Sequence, residues 1–503
     1  MQLVENDETQ GEQLVSGVDL GSNSFHMVVA RLEDNGRVHV LDRIREPVRL
    51  AAGLDDRNRL SSGVAERALV ALSKMGQRLK GLPQSRVRAV GTNALRRAKN
   101  GPDFLEAAQA ALGHPIEVIS GHEEARLIYL GVSHSSADDS GRHLVIDVGG
   151  GSSEFIIGER FEPIVLDSLY MGCVSYTQRF FSSGSITKGA FKKAVLAAQL
   201  ELSSVSEQYR RIGWKRVTGS SGTALAAYSV IRANRWGDRI TASGLEKLEQ
   251  AMLEAGNVSQ LALKGLEPER APVFPGGVAI LRAAFESLGI ETMGVSNGAL
   301  REGLVYELLG RTSHEDVERR TVDTFSERYK VDLAQAQRIE ETALALFEQV
   351  RERWSIAQQP ASRILSAAAR LHEVGLSIAY SGYHKHGAYI LGNADMPGFS
   401  RDRQHMLAAL VRTHRRRIRR DCFRELSKPQ RKIGLALAVI LRLAVRLHHS
   451  RTAAPVPKLA VEREDGLVVR FPDGWLDAHP LTRADLEEEA ELLDAIDFKL
   501  SAV

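Results

Sequence analysis

Two segments of the chain repeat one short pattern, and this repeat constrains the fold more than any other feature of the sequence. VDLGSNS spans residues 18–24 and IDVGGGS spans residues 146–152. In each copy an aspartate, Asp19 or Asp147, ends an apolar run, one residue follows, and a Gly-rich turn leads to a serine. A polar, glycine-containing turn directly after an apolar run is typical of a strand that ends at a tight turn.

Both copies are followed by further strand-forming sequence. After the first copy we predict strands over Phe25–Leu32 and Val38–Ile44, joined by a hairpin turn at Asp34-Asn35-Gly36. After the second copy, Glu154–Ile157 and Pro163–Leu169 repeat this arrangement. Two strand–turn–strand–turn–strand units, each followed by helical sequence, predict a duplicated α/β domain.

Helices and strands alternate through the rest of the first three hundred residues, which predicts a mixed sheet covered by helices. The predicted helices are Ser61–Leu79, Pro102–Leu112 and Glu123–Val132, and the predicted strands are Val87–Gly91 and Ile116–Ser120. A third Gly-rich turn, TGSSGT at 218–223, precedes a helical stretch.

The character of the sequence changes near residue 311. Five segments read as helices with few strand signals: 317–330, 333–354, 360–373, 401–414 and 428–449. The last fifty residues predict a hairpin, a helix over Arg483–Ile496 and a final strand. We therefore predict an α/β lobe over 1–130, a second over 131–310, an all-helical domain over 311–452 and a small α+β cap over 453–503.

Composition and charge narrow the class of protein. A net charge of +3 over 503 residues is too small for a general polycation, so we expect no nucleic-acid partner. Two distant cysteines, Cys173 and Cys422, suit a reducing cytosol. Met1–Gln13 is polar and acidic, unlike a signal peptide, and the longest apolar run, Leu435–Leu441, is too short to span a bilayer. We expect a cytoplasmic protein, with peripheral contact at the inner membrane face left open.

The Gly-rich turns are candidate phosphate-binding loops, because backbone N–H groups can approach phosphate oxygens where no side chain intervenes. One such turn is weak evidence, whereas two matched copies and a third turn are stronger. The alternative is that they are tight turns and nothing more. The candidate residues are Gly21, Ser22, Asn23, Ser24, Gly149, Gly150, Gly151, Ser152, Gly222 and Thr223.

Carboxylates accompany the turns. Asp19 and Asp147 end their strands, and Glu154 follows the second turn. A carboxylate beside a phosphate cradle would repel the substrate unless a cation bridged the two, and Mg²⁺ commonly takes one or two carboxylates plus water and phosphate. We therefore predict a Mg²⁺ site at Asp19, Asp147 and Glu154. The alternatives are a turn-capping role for Asp19 and an exposed strand position for Glu154.

Charged residues at two other points are ambiguous when taken alone. Glu123 and Glu124 open a predicted helix, where acids favour the helix dipole. Arg96 follows the predicted strand 87–91 and could hold a phosphate through two parallel hydrogen bonds, although an arginine on a helix surface is the simpler interpretation.

Together these residues resemble a known family, the exopolyphosphatase/guanosine pentaphosphate phosphatases, a branch of the actin, hexokinase and heat-shock chaperone ATPase superfamily. The resemblance covers nearly the whole chain. The motifs that carry it are VDLGSNSFHM (18–27), GTNALRRA (91–98), VISGHEEARLIYLGV (118–132), LVIDVGGGSSE (144–154), MGCVS (171–175), GSSGT (219–223), NGALREG (297–303), ARLHEVGLS (369–377) and DMPGFS (395–400).

The resemblance implies a fold and a set of roles. The fold is a pair of actin-like (ribonuclease H-like) lobes, followed by an all-α HD-like domain and a small α+β cap. Glu124 becomes the base that activates water, Asp147 and Glu154 become metal-site carboxylates, Arg96 binds phosphate, and residues 149–151 form the phosphate loop. The cofactor is Mg²⁺, to which a monovalent cation such as K⁺ can be added, and the protein is expected to be a homodimer.

The main prediction for function is a processive exopolyphosphatase that releases terminal orthophosphate from inorganic polyphosphate. The triple glycine at 149–151 favours this branch over the guanosine pentaphosphate 5′-phosphohydrolases, which are the alternative. A kinase or ATPase on the same scaffold and a non-enzymatic polyphosphate sensor are weaker alternatives, since no adenosine-binding segment stands out and the carboxylates are retained.

A basic segment in the helical domain fits the main prediction. Residues 412–420 contain six arginines, and we predict a polyphosphate-binding track of Arg412, His414, Arg415, Arg416 and Arg419. A solvated basic face is the alternative. The region resembles the HD-type phosphohydrolase fold, but Glu373 follows His372 where that fold has Asp, and Val445 stands where a closing Asp ligand is expected. We therefore expect a binding role here instead of a working metal site.

Overall fold

A computed structural model of the chain describes residues 14–32, 38–135, 141–312, 317–356, 359–452, 456–457, 459–462 and 466–503. The chain divides into two compact units, Met1–Glu315 and Asp316–Val503. Within the described ranges, every helix is too short or too polar to cross a lipid bilayer. The hairpin turn predicted at residues 34–36 lies outside the described residues.

The N-terminal unit contains two sheets. The strands of the first are ordered β3-β2-β1-β4-β5, and those of the second β10-β11-β9-β6-β7-β8. Their bounds are β1 Leu14–Leu20, β2 Phe25–Leu32, β3 Val38–Glu46, β4 Val87–Gly91, β5 Ile116–Val118, β6 Arg142–Val148, β7 Ser153–Glu159, β8 Glu162–Leu169, β9 Arg216–Ser220, β10 Ile240–Thr241 and β11 Thr292–Val295.

The two sheets repeat one topology, which confirms the predicted duplication. In each, the first three strands form an antiparallel meander, and the fourth pairs in parallel with the first. The registers match as well, because Asp19 on β1 lies opposite His26 on β2 while Asp147 on β6 lies opposite Glu154 on β7. Each Gly-rich turn therefore leaves its sheet at the same edge and carries an aspartate beside it.

Eleven described helices cover these sheets. They are α1 Ser62–Leu79, α2 Asn93–Arg97, α3 Gly101–Leu112, α4 Gly121–His134, α5 Cys173–Phe180, α6 Lys188–Leu202, α7 Ser206–Ile212, α8 Ser221–Ala233, α9 Ala242–Ala255, α10 Phe274–Leu288 and α11 Leu300–Thr312. Helix α4 begins where the Ser120 hydroxyl accepts from the backbone N–H of Glu123, which is a side-chain cap on the first turn.

Helices α4 and α11 correct the predicted lobe boundaries. Helix α4 runs through residue 130, so the first lobe cannot end there. Helix α11, which was assigned to the second lobe, packs back on the first lobe, where Val305 shares a core with Val15 and Val28 of its sheet. The first lobe is therefore not continuous in sequence. The apolar residues of α11 indicate that the helix is buried, but they do not indicate which of the two sheets it covers.

The C-terminal unit consists of helices and one small sheet, ordered β12-β13-β14. Its elements are α12 Val317–Arg328, α13 Leu333–Val350, α14 Gln359–Leu371, α15 Tyr383–Asn393, α16 Arg401–Thr413, α17 Lys428–Leu447, β12 Ala460–Glu462, β13 Gly466–Arg470, α18 Trp475–Ala478, α19 Pro480–Asp494 and β14 Lys499–Ala502. The five predicted helices are present, and α15 was not predicted.

The predicted division of this unit at residue 452 is wrong. Leu467, Leu486 and Leu493 belong to the same hydrophobic core as the helices before them. Arg442 on α17, which is fully buried, donates from Nη2 to Glu489 Oε2 on α19 over 2.9 Å. The last fifty residues therefore complete the helical core and do not form a separate domain.

Candidate active site

The three Gly-rich turns converge on one cleft of about 410 Å³ in the N-terminal unit. The structure thus brings together most of the predicted phosphate-binding residues. Those that line the cleft are Gly21, Ser22, Asn23, Ser24, Gly149, Gly150, Ser152 and Gly222. Two others have structural contacts: Gly151 packs against Asn93, and the Thr223 hydroxyl donates to the Val148 carbonyl over 3.0 Å.

The first two turns face each other closely enough to require glycine. A Cβ atom on Gly150 would lie 2.9 Å from Ser22 Cβ and 3.3 Å from the backbone nitrogen of Asn23. Because no side chain fits between the turns, backbone groups from both lobes meet at this point. The two copies of the repeat therefore form the two sides of one cradle.

An arginine that the motifs did not reveal lies over the third turn. The guanidinium of Arg270 lies against Gly222 at the start of α8, where any side chain would collide with it. Arg270 also lines the cleft, and its side chain has no acceptor among the described residues. Burial lowers the pKa of Arg270 from its ordinary value of 12.5. A half-buried cation without a carboxylate partner is a strong candidate ligand for phosphate.

Four carboxylates surround the cradle, the half-buried Asp19 and the buried Glu124, Asp147 and Glu154. Burial is the main cause that raises the pKa of each, and Glu124 raises the pKa of the other three further. The pKa of Asp147 is raised from 3.8 to about 6, against the effect of a hydrogen bond from the Ser220 hydroxyl. Several carboxylates that disfavour each other's ionised form indicate a site that is incomplete without a cation.

The residues fit a cation held partly by substrate. The Oδ1 atom of Asp19 is buried without a hydrogen-bond donor among the described residues, and the Glu154 carboxylate lies beside Gly149 and accepts from Ser168 over 2.8 Å. In the described part of the chain, no three Asp, Glu, His or Cys side chains converge tightly enough to form a complete metal site alone. Mg²⁺ does not need such a cage, because it keeps waters and takes phosphate oxygens as ligands.

Glu124 projects from the first turn of α4 into the cleft. Its Oε2 accepts from Arg96 Nη1 over 2.9 Å, and the same nitrogen donates to the Ile119 carbonyl over 2.9 Å. Arg96 does not line the cleft and its guanidinium is placed to orient Glu124, so its direct role in binding phosphate stays a prediction. A carboxylate held by one oxygen can present the other to a water molecule.

Glu123, the neighbour of Glu124, is part of a buried ion network and does not act simply as a dipole cap. Both of its oxygens accept from Arg126 over 2.8 Å, and Arg88 Nη2 lies 3.6 Å from Oε1. Arg88 and Arg126 both contact Glu307 on α11. The network joins β4, α4 and α11.

Three more arginines line the cleft outside the motif glycines. Arg43 and Arg301 both contact Glu302, whose Oε1 lies 3.3 Å from Arg43 Nη2 and 3.0 Å from Arg301 Nε. Arg45 lies 3.4 Å from the exposed Glu267. Strand β3 supplies Arg43 and Arg45 because alternate residues of a strand face the same side. A search for charges at a period of two along the strand that begins at Val38 would have found this pair.

The C-terminal unit contains the predicted basic segment, but the side chains predicted to form one polyphosphate track have different surroundings. His414 is buried, with its ring 5.3 Å from that of His372, so it cannot belong to a surface track. Arg415 stacks 4.6 Å from the ring centre of Tyr383, and Arg419 pairs with Asp421 at 2.5 Å. The histidine cluster forms no metal-binding group within the described residues. These side chains do not share one surface because helix α16 ends at Thr413, and the residues after it are not on a continuous helical face.

Comparison with known proteins decides the family. Residues 28–312 match the Ppx/GppA phosphatase family and residues 317–490 match its domain III. The chain belongs to the Ppx/GppA phosphatase family. The agreement of the second match with one C-terminal unit supports the correction made to the predicted division at residue 452.

Relatives of known name cover almost the whole chain. It is 42% identical over 479 residues to a guanosine-5′-triphosphate,3′-diphosphate pyrophosphatase of Aeromonas hydrophila, covering 95% of this chain and 96% of that protein. It is 41% identical over 489 residues to the Vibrio cholerae protein of the same name, covering 97% and 98%. The crystal structure of the Aquifex aeolicus member of the Ppx/GppA family is 26% identical, with a TM-score of 0.51, covering 59% of this chain and 98% of that one.

These comparisons confirm the actin-like fold with its helical C-terminal domain and the coarser function, a hydrolase of phosphoanhydride bonds. They contradict the main prediction of an exopolyphosphatase, since the relatives at about 40% identity carry the name of the alternative. The triple glycine at 149–151 misled because a backbone cradle suits any terminal phosphate, and both substrates present one.

Proposed function

We propose that this protein hydrolyses guanosine 5′-triphosphate 3′-diphosphate at its terminal phosphoanhydride bond, giving guanosine tetraphosphate and orthophosphate. The observation that carries the chemistry is the position of the Glu124 carboxylate in the wall of a cleft that two glycine turns form. The names of relatives that cover 95–97% of the chain support the choice of substrate.

The terminal phosphates lie in the cradle of backbone N–H groups from the 21–24 and 149–152 turns, with Arg270 beside them. Glu124 orients a water for attack on the terminal phosphorus and accepts its proton. The bond between that phosphorus and the bridging oxygen breaks, and the electron pair leaves with the shortened nucleotide. Phosphoryl transfer needs mainly positioning and charge stabilisation, which these groups supply.

Asp19, Asp147 and Glu154 are the residues that would hold Mg²⁺ together with phosphate oxygens. When bound, the ion supplies neutralisation of the charge on those oxygens. The protein holds these carboxylates beside the cradle, where burial raises the pKa of each and so disfavours the ionised form unless a cation is present. Asp147 is held in place by the Ser220 hydroxyl and Glu154 by that of Ser168.

The test is phosphate release from four substrates at equal concentration: guanosine pentaphosphate, GTP, inorganic tripolyphosphate and long polyphosphate. We expect the highest kcat/KM with guanosine pentaphosphate. Glu124→Gln keeps size and hydrogen bonding but cannot accept a proton, so turnover should fall by about 10²-fold or more. Faster cleavage of long polyphosphate than of guanosine pentaphosphate by the wild-type protein would refute the proposed substrate.

A further inference from the structure

Helix α11 brings its first turn to the strand that carries Asp19. A Cβ atom on Gly17 of β1 would lie 2.6 Å from the carbonyl oxygen of Arg301, so the start of the helix lies directly on this strand. Further along the helix, Val305 shares a core with Val15, which is nearer the start of β1. Helix α11 therefore runs antiparallel to β1, and its N-terminal end faces the end of the strand at which Asp19 lies.

The direction of the helix determines the direction of the Arg301 side chain. In an α-helix each Cα–Cβ bond tilts toward the N-terminus, and that end of α11 faces Asp19. Gly17 and Asp19 project to the same face of β1 because they are two residues apart. The Arg301 side chain therefore extends along this face toward Asp19, and both residues line the cleft.

The guanidinium of Arg301 is held by its neighbours in the chain. Its Nη2 donates to the Asn297 carbonyl over 3.2 Å, and its Nε lies 3.0 Å from Glu302 Oε1. Its Nη1 has no hydrogen-bond acceptor among the described residues. A guanidinium fixed at two nitrogens presents the third to the cleft without further ordering, which is the property of a preorganised donor.

Glu302 carries one negative charge for two arginines. It is buried, its Oε2 accepts from the backbone N–H of Ala299 over 3.0 Å, and its Oε1 also lies 3.3 Å from Arg43 Nη2. Neither Arg43 nor Arg301 has another carboxylate partner among the described residues. One positive charge is therefore in excess at this point of the cleft, and an anion would neutralise it.

The position of Arg301 indicates which phosphate group it contacts. Arg45 is on β3, two strands and about 10 Å from Asp19, and Arg270 lies on the third turn of the second lobe. Arg301 is the arginine that lies over β1 itself, beside the carboxylates that surround the cradle. We propose that Arg301 donates from Nη1 to a non-bridging oxygen of the phosphoryl group that is transferred, and that Glu302 holds it in this position.

This inference rests on the proposed function and adds one catalytic residue, Arg301, and one positioning residue, Glu302. No bond forms or breaks at Arg301. Its guanidinium stays protonated and stabilises the negative charge of the phosphoryl oxygens while water attacks and the bridging oxygen leaves. Because the transferred phosphoryl group is common to nucleotide and inorganic substrates, its effect is independent of the rest of the substrate.

The test measures kcat and KM with guanosine pentaphosphate and with inorganic tripolyphosphate. Arg301→Met removes the charge and keeps an unbranched side chain. We expect kcat to fall by about 10²-fold or more, the loss typical of one donor to a transition-state oxyanion, while KM changes by less than about threefold. The fall in kcat should agree within about threefold between the two substrates. Arg301→Lys keeps the charge but not the planar fork, so its kcat should fall by about tenfold, and it replaces the methionine variant if that variant does not fold.

A second variant tests the role of Glu302. Glu302→Gln removes the negative charge and keeps an oxygen that can accept from Ala299. It should lower kcat less than Arg301→Met does, and Arg301→Met should have a smaller effect in the Glu302→Gln background than in the wild type, because the two residues act together. Additive effects on kcat would overturn the assignment of Glu302 as the residue that positions Arg301.

Arg282→Met is the matched control. The Arg282 side chain is 17% exposed, against 18% for Arg301, and it forms ion pairs with Glu246 and Glu249 without lining the cleft. Its kcat and KM should equal those of the wild type.

The inference on Arg301 is overturned if Arg301→Met raises KM and leaves kcat unchanged, or if kcat falls with guanosine pentaphosphate alone. In either case Arg301 would bind a part of the substrate that is not transferred. A wild-type protein that cleaves tripolyphosphate but not guanosine pentaphosphate would instead refute the proposed substrate, and the comparison of variants would still be made with tripolyphosphate. Release of phosphate from neither substrate would refute the proposed function.

Discussion

Replacement of Asp147 by asparagine should make the metal-free protein more stable while it abolishes activity. The pKa of Asp147 in the folded protein is about 6, against an ordinary value of 3.8. Since each tenfold change in the ionisation constant corresponds to about 1.4 kcal/mol, the ionised group destabilises the folded state by up to about 3 kcal/mol. The asparagine side chain carries no charge and keeps an oxygen that can accept from Ser220. We therefore expect Asp147→Asn to raise Tm by several degrees at pH 8 in the presence of EDTA.

The pH dependence gives the sign of this effect. Between pH 3.8 and 6 the folded protein binds the proton at Asp147 more tightly than the unfolded chain does. The contribution of Asp147 to stability is therefore most favourable at low pH and is lost as the pH rises through 6. The difference in Tm between Asp147→Asn and the wild type should shrink as the pH falls from 8 to 4.

Thermal unfolding followed by circular dichroism at pH 4, 6 and 8 measures both effects, and Asp56→Asn, at an exposed turn, is the control. Added Mg²⁺ should raise the Tm of the wild type and not that of Asp147→Asn, because ligands stabilise only the state that binds them. A variant that is no more stable than the wild type at pH 8, or a difference that stays constant on acidification, would refute this account of the carboxylate cluster.

Three further predictions concern the buried ion network, the ionised carboxylates and Arg270. Glu123→Gln should lower the free energy of unfolding by about 3–5 kcal/mol, because it leaves the positive charge of two buried guanidiniums without a full negative counterpart. Glu117→Gln, at the partly exposed end of the network, should lower it by less than about 1 kcal/mol. Chemical denaturation measures both changes. In a pH–rate profile, kcat/KM should fall about tenfold per pH unit below about 6, since Glu124 and Asp147 act in their ionised forms and burial raises the pKa of both; a flat profile down to pH 5 would exclude them. Arg270→Gln should raise KM by about 10-fold or more, and Arg235→Gln, at a residue that does not line the cleft, should leave KM unchanged in steady-state assays.

The sequence predicted the parts of the fold that local patterns determine. The strands around Asp19 and Asp147 were recognised because the turn that follows each has little freedom: it must reverse direction and bring backbone groups close together. The helices of the C-terminal unit were recognised from their apolar periodicity. Helix α15 was missed because Tyr383–Asn393 mixes histidine, lysine and glycine with its apolar residues, and only three of its large apolar or aromatic side chains are well buried there: Tyr383, Ile390 and Leu391.

Partners distant in sequence were predicted less well. Arg96 was assigned to phosphate because the family resemblance implies that role and a guanidinium can hold phosphate through two hydrogen bonds, but its Nη1 contacts Glu124, 28 residues later. Glu123 and Glu124 are adjacent, both open α4, and have different environments, since successive helical residues point about 100° apart. A helix-dipole argument treats the two acids alike, and only the packing of α4 against β4 and α11 distinguishes them.

The substrate was the property hardest to predict from the sequence, and the residues that line the cleft explain why. Polyphosphate and guanosine pentaphosphate present the same terminal phosphoanhydride to the same glycine turns, so the motifs that identify the chemistry are silent about the rest of the substrate. Arg45, which lies outside these motifs, is two strands away from Asp19 and was brought into the same cleft by strand register. Arg270 enters from the segment before α10, more than a hundred residues after the second turn. A change at Arg45 or Arg270 that leaves both glycine turns intact is therefore expected to alter which phosphate ester or anhydride is bound, without changing the proposed activation of water by Glu124.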